Sequence, residues 1–178
     1  MSVHASSIRR PLALLAAIVV GGAFVLALTL GRAEGKPVAK CALGAEQAGC
    51  KLPVGASYRV DVKSGSASGY VTTQVTSRGI SVGLNAYITC QRFDPSNGNQ
   101  TGLYGGYSGN QHPKVGKTYE IKDTASERDE EGIPATTETE LTLDFKSAKQ
   151  LVLTVHHVSS IDGKLSCDGS KTWTLKRQ

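Results

Sequence analysis

Apolar and polar positions follow two different patterns along the chain. From Pro11 to Leu30 the sequence PLALLAAIVVGGAFVLALTL is uncharged, with Arg9 and Arg10 before it and Arg32 after it. Later segments instead alternate apolar and polar residues with a period of two, the spacing of half-buried strands. The first pattern predicts export, because basic residues before an apolar run stay on the cytoplasmic side while the rest is translocated. Two fates remain open for the run. Its 20 residues match a spanning helix, which needs about 20. Gly21 and Gly22 weaken such a helix, and Gly31-Arg32-Ala33 offers a small-x-small cleavage site. The predicted organisation is a signal peptide or transmembrane anchor over 1–33, a linker with a short disulfide loop over 34–52, and a β-domain over 53–178. Arg9-Arg10 alone carries little of a twin-arginine signal, and no cysteine follows the run closely enough for a lipoprotein.

The β-domain reads strand by strand. Tyr58, Val60 and Val62 alternate with Arg59, Asp61 and Lys63, and Ser64 to Gly69 reads as a flexible turn. Tyr70 to Thr76 forms a second strand. The clearest strand runs through Ile80, Val82, Leu84, Ala86, Ile88 and Cys90 on one face, with Ser81, Gly83, Asn85, Tyr87 and Thr89 on the other. Phe93 to Pro113 reads as a long irregular region, with an extra edge strand over Gly102 to Tyr107 as the alternative; loops of this length are functional or disordered. Val115 to Lys122 is a strand, and Asp123 to Pro134 a charged loop. Thr137 to Phe145 points Leu141, Leu143 and Phe145 inward. Leu151 to Val158 is apolar enough for a central strand covered on both faces. Asp162-Gly163 is a hairpin signal, Leu165 and Cys167 form the short return, and Asp168-Gly169 turns into a last strand on which Trp173 and Leu175 face inward. The expected fold is all-β: a small antiparallel β-barrel or β-sandwich of about seven or eight strands behind an N-terminal hydrophobic helix. Successive hairpins favour an up-and-down meander, with a Greek key as the alternative. In architecture alone, this exported two-disulfide build resembles lipocalin-type and other small envelope β-domains.

Charge changes the picture little. The chain carries 20 basic and 15 acidic residues, but Arg9, Arg10 and Arg32 precede every acid, which leaves 17 basic against 15 acidic beyond them. With no basic cluster, the composition gives no support to nucleic-acid binding. The four cysteines, Cys41, Cys50, Cys90 and Cys167, all follow the apolar run, and in an oxidising compartment an even count predicts two disulfides. Three connectivities are open; Cys41–Cys50 as a short staple with Cys90–Cys167 as a long one is preferred. A zinc site is not expected, since no CxxC pair occurs.

Catalytic signals are sparse. Neither GxSxG nor HExxH occurs. His156 and His157 are adjacent, so on a strand they point to opposite faces and do not share a metal. Gly116-Lys117-Thr118 lacks the earlier glycine of a phosphate loop, which is Gln111 here, and Glu127 to Glu131 lack the EF-hand spacing. Asn99-Gln100-Thr101 is a glycosylation sequon wherever the host glycosylates. The expected ligand site is the glycine-rich stretch carrying Tyr104, Tyr107, Asn110, Gln111 and His112, whose rings and polar tips suit a sugar, a peptide or an envelope partner. The expected function is therefore non-catalytic: an exported β-domain in the periplasm, cell envelope or extracellular space that binds a protein, a glycan or a small ligand without a cofactor. The alternatives are a membrane-anchored structural envelope protein, held through residues 11–30, and a small secreted hydrolase or hydrolase inhibitor.

Overall fold

The computed structural model describes residues 47–64, 67–128 and 132–178. The apolar run and its expected helix, the 31–33 step, Cys41 and the acidic tip 129–131 lie outside the described residues.

Eight antiparallel strands follow in order: β1 (Ser57–Ser64), β2 (Ala67–Thr76), β3 (Gly79–Phe93), β4 (Gln100–Gly109), β5 (Thr118–Arg128), β6 (Pro134–Asp144), β7 (Gln150–Ile161) and β8 (Lys164–Arg177). Each strand pairs with its sequence neighbour except β4 with β5, giving the lateral order β4-β3-β2-β1-β8-β7-β6-β5. Two four-stranded meanders, β1–β4 and β5–β8, are thereby joined through β1 and β8. The end of β8 pairs with β1 through Tyr58–Arg177 and Arg59–Lys176, while its beginning pairs with β3 through Cys90–Gly169 and Phe93–Cys167. Strands β1, β2, β3 and β8 thereby close a four-stranded β-barrel, and β4 and β5–β7 extend from it as outer strands.

The inward faces follow from the period of two. Tyr58, Val71, Val75, Ile80, Val82, Leu84, Ala86 and Ile88 line one wall; Leu141, Leu143, Leu151, Leu153, Val155, Trp173 and Leu175 line the other. Phe145 meets Tyr58 and Tyr119 edge to face, at centroid distances of 5.8 and 5.9 Å, and the Tyr58 hydroxyl donates to the Ala148 carbonyl at 3.1 Å. Burial raises the Tyr58 phenol above its usual pKa. Cys90 and Cys167 form the long-range disulfide, with Cα atoms 5.3 Å apart. Cys50 is buried and, among the described residues, no cysteine is free.

Three segments differ from the reading of the sequence, each for a local reason. The long irregular region contains β4, which pairs with β3 from Ile80–Gly109 to Thr89–Gln100. Strand β5 continues through Asp123–Arg128, because full pairing with β6 satisfies its backbone while an edge strand tolerates outward charge. Asp168-Gly169 does not turn: β8 runs straight through it. Gly169 lies so close to β3 that a Cβ would sit 2.6 Å from the Thr89 carbonyl oxygen, and Asp168 is held by Arg92 and His156. A bulge between Ser159 and Ser160 leaves Ser166 unpaired opposite β7, so Leu165 flips outward to 36% exposure while Cys167 stays buried. The Asp162-Gly163 hairpin is present, with φ of 51° and 70°, the left-handed pair that a two-residue turn requires. Strand β7 is central laterally, but its outward face is half-exposed, not covered.

Candidate ligand-binding site

The inward face of β5–β7 changes chemistry along its length. Cross-strand registers give the rows directly. Leu143 lies beside Leu153 and Trp173, and Ile121 beside Leu141 and Val155. One step further, Asp123 lies beside Thr139 and His157, and then Ala125 beside Thr137 and Ser159. Three strands thus turn from apolar to polar at the same level, on the face that points into the fold.

At that level the two edges part. Near one end Gly109 packs on Ile121, where a Cβ would sit 3.2 Å from Ile121 Cγ1. Beyond it a cleft of about 360 Å³ opens between β4 and the polar rows. The β4 residues from Thr101 to Tyr107 form one wall; Asp123, Ala125, Glu127, Thr137, Thr139, His157 and Ser159 form the other. Leu103 is buried and Tyr107 packs on the core, so an apolar and aromatic wall faces a polar one. His157 is only 7% exposed, and its Nδ1 lies 3.0 Å from Thr139 Oγ1. Burial, with a smaller contribution from His156, pushes its pKa down and favours the neutral ring.

The five residues singled out in the glycine-rich stretch are divided by strand alternation. Tyr107 points inward and lines the cleft. Tyr104 also borders the cleft, but its ring lies over Gly102 and 5.8 Å edge to face from Tyr87. Tyr70 flanks the same outer face across Asn85, with the Arg59 guanidinium 4.8 Å above its ring. Asn110 borders a shallower hollow beside Arg78 and Glu120. Gln111 and His112 are exposed and line neither. Asn99 is exposed in the β3–β4 turn. The cleft residues of β5–β7 escaped sequence reading, although a signal was present: continuing the inward parity of Leu141 and Leu143 back to Thr139 and Thr137, and of Val155 on to His157 and Ser159, gives two polar runs.

The adjacent histidines do point to opposite faces. His156 is on the outer surface, its Nε2 3.0 Å from Asp168 Oδ1; Arg92 Nε donates to Asp168 Oδ2 at 2.9 Å. The Arg92 and then the His156 hydrogen bonds hold the Asp168 carboxyl below its usual pKa. This carboxylate–imidazole pair lacks the third member of a nucleophilic triad: among the described residues no serine, threonine or cysteine is hydrogen-bonded to His156. No group of three or more metal-ligating side chains occurs among the described residues. Comparison with known proteins found no matching family model, no matching curated protein and no matching solved structure.

Proposed function

We propose that the protein is an exported, non-catalytic β-barrel domain that binds a small polar ligand in the cleft between β4 and β5. One observation carries the reading: Thr139, His157, Thr137 and Ser159 occupy inward positions where the same strands otherwise carry leucine and valine, and they surround a hollow instead of filling it. Buried polar groups are costly unless satisfied, and a polar ligand satisfies them. Export is supported by the arginine-flanked apolar run and by the Cys90–Cys167 disulfide, which suits the periplasm, the envelope or the extracellular space. The run at 11–30 is then either removed or kept as an anchor.

A second reading rests on the outer face, where Tyr70, Tyr87 and Tyr104 are exposed together around Asn85. Clustered tyrosines of this kind suit a protein or glycan partner.

An amide-detected NMR screen of small hydroxylated and amide compounds, on protein isolated with its disulfides intact, separates the two. Shifts at Thr137, Thr139, His157 and Ser159 that vanish in Ala125→Trp are the expected result. Shifts confined to Tyr70 and Tyr87, which do not line the cleft, would move binding to the outer face, and none anywhere would overturn both readings.

A further inference from the structure

We propose that the cleft selects an aliphatic diamine or polyamine, an inference that rests on the cleft being a ligand site. Its charge is one-sided. Asp123 and Glu127 line it, and no lysine or arginine does. Among the described residues neither carboxylate is in a salt bridge. The nearest cations in sequence are engaged elsewhere: Lys122 Nζ pairs with Glu140 at 3.1 Å, and Arg128 donates to the Gly132 carbonyl at 2.7 Å. The acidic lining is local, because the chain beyond Arg32 carries 17 basic residues against 15 acidic.

Spacing narrows the class. Asp123 and Glu127 share one face of β5 four residues apart, which on an extended strand separates their Cα atoms by about 13 Å. A compact single cation does not reach both. Between them lies Ala125, and the wall opposite is Leu103, Gly105 and Tyr107, a surface suited to methylene groups. Two ammonium groups joined by a methylene chain therefore match an acid–apolar–acid track.

A second, independent feature points into the same space. His157 is more than nine-tenths buried and lines the cleft; its Nδ1 is engaged by Thr139, while its Nε2 has no hydrogen-bond partner among the described residues. That nitrogen is left for a group on the ligand, either a donor or an acceptor according to the tautomer that Thr139 fixes.

Titration calorimetry with 1,6-diaminohexane, spermidine, hexylamine and 1,6-hexanediol on the disulfide-intact protein tests the proposal. The diamine and spermidine are expected to bind at least about ten-fold more tightly than the diol, and about two- to five-fold more tightly than the monoamine. Asp123→Asn and Glu127→Gln are each expected to weaken the diamine by about two- to five-fold, with an affinity that falls as salt rises. Lys122→Gln, outside the cleft, should leave it unchanged. If the diol binds as tightly as the diamine, or both neutralised variants keep full affinity, the diamine proposal falls while the cleft stands. If the diamines do not bind but neutral compounds still shift His157 and Thr139, the cleft likewise survives without it. Absence of any shift in the cleft overturns both.

Discussion

The eight-stranded sheet has two seams, and they are built differently. Where β3 meets β8 the backbones pair, Cys90 is bonded to Cys167, Gly169 lets the strands approach, and Arg92, Asp168 and His156 cross three strands on the outside. Where β4 meets β5 there is no strand pairing. Gly109 and Ile121 touch at one end, and from there the edges part around a polar hollow. A closed sheet has no edges to protect, whereas an open pair must manage them. Covalent, steric and ionic restraints are thus concentrated at the closed seam. The proposed ligand site lies at the open seam, and the restraints that stabilise the fold lie at the closed one.

The largest expected effect comes from breaking the closed seam covalently. Cys90 and Cys167 are separated by 77 residues, and in the chain-entropy model a loop of that size contributes about 4.5 kcal/mol. Cys90→Ser combined with Cys167→Ser should therefore lower the denaturant-unfolding free energy by about that much. A loss under about 1 kcal/mol would mean that strand pairing alone holds the seam. A smaller effect should come from Gly169→Ala. The added Cβ would meet the Thr89 carbonyl, a backbone atom that cannot swing away. Overpacking of this kind costs about 1–3 kcal/mol, and here it acts on β3–β8 pairing. Hydrogen exchange at Cys90 and Phe93 reads it: faster exchange there, with β6 protected as before, is expected, and uniform behaviour of the two regions would count against seam-specific strain.

The closed seam was partly legible in the sequence and the open one hardly at all. Cys90 falls on the apolar side of a long alternation, so its burial follows from spacing; the even cysteine count predicts that it is paired but leaves three connectivities open. Asp168-Gly169 misled because a dipeptide common in turns served two other purposes, a cross-strand ion pair and a close backbone approach; both depend on β3, which lies about 77 residues away in sequence. At the open seam, β4 was hidden by glycine. Gly102, Gly105, Gly106 and Gly109 erase the alternation that marks a strand, leaving Leu103, Tyr104 and Tyr107 as its only large side chains. The charged end of β5 was hidden in a related way, since an edge strand beside a cleft need not be apolar. Tyr104 and Tyr107 were identifiable as exposed-ring candidates, but the strand that separates them onto opposite faces was not.

Acid should release the two seams in order, and this is the subtlest prediction. His157 at the open seam is held neutral by burial, so its folded pKa lies below the unfolded value of 6.5. The unfolded chain takes up that proton first, and stability, complete above 6.5, declines as pH falls from there toward the folded value. Asp168 at the closed seam acts in a lower window. Its hydrogen bonds from Arg92 and His156 depress its folded pKa below the unfolded 3.8, so its contribution is present above that value and is lost as pH falls through the folded one. Melting temperature measured from pH 7.5 to 2.5 should show both declines. His157→Gln should flatten the upper one and leave the lower, and Asp168→Asn should flatten the lower one from a reduced starting stability. A wild-type curve that is level down to pH 4 would remove the neutral, buried imidazole from the account of the cleft. Were His157→Gln instead to abolish the lower decline, the two seams would be coupled through the adjacent His156, and the division between a stabilising seam and a binding seam would fail.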